Sequence, residues 1–337
     1  MDFHRLKVIS QKEFSDHIKS RRFLFLLVIF CLVLGIEATS GVSSYNTALE
    51  NYKNGDSMEI YQPSAVEVFS DIVNSVGGNG LGVIIGLALG FDLISGEREK
   101  RSLKTILSRP VYRDELINGK ALGGLFAIAI ITLISFIVVF SVMLIMGIVP
   151  DLDGIAGIGI IWVLTFLFIS AFFSLSLMTS VIANTNSGSL LLSLVIIFIL
   201  LLIIPIGGGE IVSHLLLGQP PQEPPFGSVS DSQYSEYLEQ SDEYHKGIEA
   251  VNDFFDDFSM KSVYNDISIP ITSPSNYVMG KVGFSAFCSD PDIADSIEKP
   301  DFWTVIEDKW IKIIVFLMWP VLFFGIAYVK FMRSDLR

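Results

Sequence analysis

The residues best placed to do chemistry lie together. Gly90 to Lys120 is a block of charge between two long apolar runs, holding Glu97, Arg98, Glu99, Lys100, Arg101, Lys104, Arg109, Arg113 and Lys120. These are ion-pairing and docking groups, with no nucleophile set beside a base. Glu97 and Arg101 stand four apart in the acid-first order that supports a helix. Leu103, Ile106 and Leu107 give that helix an apolar edge. Pro110 ends it and biases Arg109 toward an extended conformation. The block reads as a short surface helix with a charged back, tied at both ends to apolar segments.

Other chemistries are missing. Gly119-Lys120 lacks the upstream glycine and following hydroxyl of a phosphate-cradling loop, and no H-E-x-x-H, C-x-x-C or G-x-S-x-G occurs. His4, His17, His214 and His245 are scattered, so they do not make a metal site. Asp253, Asp256 and Asp257 cluster, but without the glycine and terminal bidentate acid of a calcium loop they read as a solvated acidic face. The chain is expected to carry no catalytic residue, metal or cofactor of its own.

The elements that must position this block are membrane spans. The chain has 337 residues, of which 51% are hydrophobic, with a mean hydropathy of +0.55. The apolar residues come in runs long enough to cross a core that needs ~20 of them. Six spans are expected: Phe23 to Gly41, Ile72 to Ser95, Ala121 to Val149, Ile155 to Ala183, Ser189 to Ile206 and Trp310 to Met332. Short loops rich in Lys and Arg stay on the cytoplasmic side. That rule puts 96–120 and both termini inside, in a multi-pass protein of the cell membrane. No Lys, Arg or His is read as lying deep in a span, which argues against a buried proton relay. The basic stretches are short and flank apolar runs, so a nucleic-acid partner is not expected.

Residues 1–22 read as an interfacial helix, with Phe3, Leu6, Ile9 or Ser10, Phe14 and Ile18 on one side. Val42 to Asp71 reads as an outer loop that Glu37 approaches from the end of the first span. In the second span Gly78, Gly82, Gly86 and Gly90 repeat every four residues, a stripe that lets another backbone approach closely. Asp92, near its end, is expected to pair with the basic loop that follows. Gly207-Gly208-Gly209 breaks the fifth span. The net charge of −13 is concentrated in the 207–309 insert, placed outside. There Ser230 and Gln233 suit a capping box, followed by an amphipathic helix with Tyr237, Tyr244, Ile248, Val251, Phe255 and Phe258 on its apolar stripe. Ile267 to Val282, with Pro270 and Pro274, reads as irregular. Cys31 lies in a span and Cys288 in the insert, so they are not expected to form a disulfide. The fold class is therefore an all-α polytopic membrane protein: residues 23–206 supply five spans, the insert is mainly helical, and 310–337 supply the sixth span and a cytoplasmic tail.

The runs Gly96-Glu97-Arg98-Glu99-Lys100-Arg101-Ser102-Leu103, Leu107-Ser108-Arg109-Pro110-Val111 and Gly119-Lys120 resemble the first cytoplasmic loop of ABC-2 type permeases. Lys12-Glu13-Phe14 and Ser20-Arg21-Arg22-Phe23 resemble the entry segment of the same family. The resemblance covers the membrane core and leaves Gly207 to Trp310 unmatched. It implies the membrane subunit of an ATP-driven exporter, with Glu97, Arg98, Lys100, Arg101, Leu103, Leu107 and Arg109 docking on a separate ATPase subunit. ATP and Mg would be bound by that partner, and a second permease copy or a paralogue would complete the assembly. The alternative is a membrane-anchored assembly or binding module acting on an extracytoplasmic partner, as in metalloenzyme maturation, without transport of its own.

Overall fold

The computed structural model describes residues 3–54, 61–101, 112–221, 231–282 and 302–334. Among these residues the regular structure is all helical. Five helices are long and apolar enough to cross a membrane: Arg21–Asn54, Arg113–Ile145, Leu152–Ile182, Asn186–Ile204 and Trp310–Arg333. A sixth crossing is available if the pair Ala65–Gly78 and Leu81–Glu99, bent by 51°, counts as one.

The chain divides into two compact units, Met1–Ser193 with Tyr264–Arg337, and Leu194–Val263. In the larger unit the elements in order are α1 (Phe3–Lys19), α2 (Arg21–Asn54), a 3₁₀ turn (Ala65–Phe69), α3 (Ser70–Val73), a π turn (Asn74–Gly78), α4 (Leu81–Gly90), α5 (Ser95–Glu99), α6 (Arg113–Ile145) and α7 (Leu152–Ile182). The bundle is built on α7, which packs against α4, α6 and the last span. Half of its most apolar stretch is buried, against 17% for Trp310–Arg333, so α7 is the most interior of the long helices, while α1 and α2 pack on α6. Asp151 starts it by accepting the Gly154 N–H at 2.8 Å, an N-cap that satisfies one of the helix's orphan donors.

Several expectations change. Val42 to Asp71 is not all loop: α2 runs on to Asn54, and Ala65 to Val73 is helical, with Val68, Phe69 and Ile72 fully buried. Glu37 accepts a hydrogen bond from Ser75 at 2.7 Å. The expected second span is broken. A π turn ends at Gly78, and Gly80 takes a left-handed conformation (φ 78°) before α4 begins. Glycine adopts that conformation without the Cβ penalty, so the break is encoded locally.

The remaining helices are α8 (Asn186–Phe198), a π stretch (Ile199–Gly208), α9 (Gly209–Leu217), α10 (Asp231–Phe258), α11 (Met260–Thr272), α12 (Pro274–Val282), α13 (Phe302–Asp308) and α14 (Trp310–Arg333). Gly207 to Gly209 do not end the helix. The backbone widens into π turns through a stretch holding Pro205, which has no N–H to donate, and then continues as α9. Ile267 to Val282 is also helical. Pro270 lies in the last turn of α11, and Pro274 takes the first position of α12, where a missing N–H costs nothing. Tyr264 of α11 is fully buried. Its hydroxyl shares a 3.0 Å hydrogen bond with that of Thr165, and its ring lies 4.8 Å from that of Phe168.

Within the smaller unit α9 packs on α10. Leu217 lies so close to Gly247 that a Cβ there would meet it at 2.8 Å. The expected stripe Tyr237, Tyr244, Ile248, Val251 and Phe255 is half-buried, while Phe258 is exposed. Ser230 of the expected capping box and Cys288 lie outside the described residues.

Candidate functional site

The charged block is built around α5, a helix of five residues with no capacity to stand alone. Its neighbours hold it. The Ser180 hydroxyl of α7 accepts the N–H groups of Ile94 and Ser95, both at 3.0 Å, which satisfies donors left orphaned at a helix start. Ser95 Oγ donates to Asn186 Oδ1 at 2.8 Å. The helix repays both neighbours with caps of its own. Arg98 donates to the Ala183 carbonyl at 2.7 Å and the Val181 carbonyl at 3.2 Å, the free acceptors at the end of α7. Glu99 accepts the N–H of Asn186 at 3.1 Å, the first residue of α8. A cation thus sits at a helix C-terminus and an anion at a helix N-terminus, each the favourable sign for the helix dipole.

The other side of α5 is tied by charge. Lys120 Nζ lies 3.0 Å from Glu13 Oε2 of α1 and 2.7 Å from Glu97 Oε1 of α5. Its side chain is only 3% exposed, so the ammonium is out of water and depends on those two carboxylates. Glycines make the approach feasible: a Cβ at Gly119 would meet Ile9 at 2.5 Å, and one at Gly123 would meet Glu13 Cβ at 2.7 Å. The buried face of α1 is therefore Leu6, Ser10 and Glu13. The expected stripe is only partly used, because Phe3 and Ile18 stay exposed.

Beside this triad lies a cavity of about 490 Å³ lined by His17, Arg22, Asp92, Glu97, Lys100 and Asn186, among others. Asp92 finds a partner in α2 that the sequence reading did not name, and most of the loop expected to pair with it lies outside the described residues. Arg22 takes it at 2.8 Å, with the guanidinium lying over the Phe91 ring. Burial holds the His17 imidazole below its ordinary range; Glu13 and Asp92 oppose that effect, while Lys120 and Arg22 add to it. At the same end of the bundle Arg113 donates to the Ser334 carbonyl at 2.7 Å, joining the start of α6 to the end of α14.

The predicted residues fall unevenly on this frame. Glu97 and Arg98 are at its centre and Lys100 is exposed beside it. Glu97 and Arg101 do not form the expected helical pair. The helix stops at Glu99, Arg101 turns into a left-handed conformation (φ 56°), and Glu97 goes to Lys120 instead. Leu103, Leu107 and Arg109 lie outside the described residues. Of the glycines, Gly82, Gly86 and Gly90 face α7: added Cβ atoms would meet Phe168 at 3.0 Å, the Ile169 carbonyl at 2.6 Å and Ser176 Oγ at 1.9 Å. Gly78 lies across the break and faces Asn74 of its own turn, so the stripe has three members. Sequence reasoning missed Glu13 and Lys120 as partners. The only signal was that both sit in the motif runs, in places where a solvated charge would do as well.

This arrangement defines a class: a polytopic helical membrane protein whose charged elbow is wired into several spans at once. The profile of the ABC-2 family transporter proteins matches residues 7–336, and the chain belongs to that family. The match runs through 207–310, the region that motif resemblance had left unmatched. The chain is also similar to the probable ABC transporter permease protein NosY of Pseudomonas aeruginosa, 26% identical over 151 residues, which is 45% of this chain and 49% of that protein. The match therefore spans about half of the relative's length.

Proposed function

We propose that this chain is the permease subunit of an ATP-driven exporter, and that α5 is the lever through which a separate ATPase moves it. Four observations support the reading: the family, the likeness to a probable permease, the want of a phosphate-cradling loop, and above all the wiring of α5. Through Lys120 that helix is joined to α1 and α6, and through Arg98, Glu99 and Ser95 to the junction of α7 and α8. A displacement of α5 cannot leave those ties intact, so force applied there reaches four helices. We read this end, and both termini, as cytoplasmic, in keeping with the basic residues around it. ATP and Mg bind to the partner, and a second copy or a paralogue completes the pathway.

Purification of the chain from its host membrane in mild detergent tests this. The expected result is a co-purifying nucleotide-binding subunit that hydrolyses Mg-ATP and is lost with Lys100→Glu together with Arg101→Glu. No such subunit, with no effect of those substitutions, overturns it.

A further inference from the structure

A second cavity lies apart from the charged elbow and does not enter its work. It is an open groove of about 880 Å³ between α1 and α6, with Trp162 of α7 at one end. Its walls are mainly apolar, with Leu6 and Phe14 from α1 and Phe126, Ile130 and Leu133 from α6, and Ser10 and Gln11 as the uncharged polar members. Phe14 and Phe126 meet edge to face with centroids 6.2 Å apart, so α1 forms a real wall rather than a loose flap. The Trp162 indole N–H donates to Thr132 Oγ1 at 3.2 Å, so that end presents no polar group in need of a partner. Among the described residues lining the groove the one charged side chain is Lys7, which is exposed.

The dimensions suit a particular ligand. From Leu122 to Leu133, both lining residues, α6 rises about 16 Å at ~1.5 Å per residue. That is about half of a ~30 Å hydrocarbon core, or one leaflet. A slot one leaflet deep, mainly apolar along its length and with a cation on the terminal helix that walls it, is complementary to one molecule: a phospholipid of negative head group. A volume of this order is in the range of sites that enclose small ligands. A plain lipid-facing helix surface would have neither the second wall nor the single placed cation.

We propose that an anionic phospholipid occupies this groove, one acyl chain lying along Phe126, Ile130 and Leu133 toward Trp162 and its phosphate on Lys7. The lipid holds α1 against α6 and so supports the Glu13–Lys120 tie from outside. This inference rests on the chain being membrane-embedded and not on the ATPase reading.

The test is native mass spectrometry of the whole protein extracted from bilayers of equal phosphatidylglycerol and phosphatidylcholine. The expected result is one retained lipid, with phosphatidylglycerol favoured about five-fold, the preference one lysine confers at an anionic surface. Lys7→Glu should bring the ratio to one or below, and Ala129→Phe should lower retention by filling the groove. In parallel, with Trp303, Trp310 and Trp319 changed to Phe, brominated phosphatidylglycerol should quench Trp162 more than brominated phosphatidylcholine. Equal retention of both lipids in the native chain overturns the proposal. So does a preference that Lys7→Glu leaves unchanged, or efficient crosslinking of Leu133→Cys to a second copy, which would make the groove a subunit seam. If the triple Phe variant does not fold, the mass measurement on the native chain decides alone.

Discussion

At the cytoplasmic end as proposed here, Lys120 lies between Glu13 and Glu97 while Arg98 and Glu99 cap the ends of α7 and α8. In the half of the bundle away from it, Tyr264 is buried among the rings of Phe168 and Phe316 and shares a hydrogen bond with Thr165, and Ser70 bonds Ser273 at the junction of α11 and α12. The first set of ties is ionic and mostly buried; the second is mainly neutral, and its ion pair between Lys312 and Asp266 is more exposed. A buried charge that loses one partner costs several kcal/mol, whereas a neutral hydroxyl pair risks only about one or two. The ionic end therefore holds only while all its partners stay in register. That suits a part displaced by a partner, and the mainly neutral half suits a part that stays packed.

The largest effect should come from Lys120→Met. It removes the buried ammonium that Glu13 and Glu97 share and should cost roughly 3–5 kcal/mol, read as a fall in thermal midpoint in detergent. Combining it with Glu13→Gln and Glu97→Gln should restore most of that loss while leaving the proposed coupling broken, which separates folding from function. If Lys120→Met alone is neutral, the ionic end is no more demanding than the other and the contrast fails.

Next comes Gly86→Val. An added Cβ would lie 2.6 Å from the Ile169 carbonyl, a backbone atom that cannot step aside, and overpacking of this kind costs about 1–3 kcal/mol. The same change at Gly159, where nothing lies within 4 Å, should be nearly silent. Tyr264→Phe should cost about 1–2 kcal/mol, because it leaves the buried Thr165 hydroxyl without its partner. A cost as large as that of Lys120→Met would erase the distinction between the halves.

The smallest effect concerns pH. Burial depresses the His17 pKa in the folded protein, so the unfolded chain takes up a proton first as pH falls below about 6.5. Stability should decline from that point and level off once the lower folded value is passed. Denaturant melts of His17→Gln should lose this component of the slope; an identical profile would remove His17 from the account.

Much of this fold was legible because bilayer crossing imposes a crude and strong signal, ~20 apolar residues in a row. The signal fails where helices do not end with hydropathy. Polar residues Ser43 to Asn54 prolong α2, and Gly207 to Gly209 stay helical, since neither stretch carries a residue that forbids the helix. The prolines misled in the opposite direction: Pro274 opens a helix and Pro270 falls in a last turn. In the site, the motif located Glu97 and Arg98, but the rule of four residues assigned Glu97 to Arg101. Local spacing could not reveal Lys120 or Glu13, because their pairing is made by glycines that let α1 and α6 close together.

The central claim is that α5 is where a cytoplasmic ATPase takes hold. The most direct test places a photoactivatable crosslinker on Lys100→Cys, with Cys31 and Cys288 changed to Ser, in intact host cells. The account predicts an adduct with a nucleotide-binding subunit and no reaction of that cysteine with a membrane-impermeant maleimide added outside. Labelling from outside with no such adduct would contradict it.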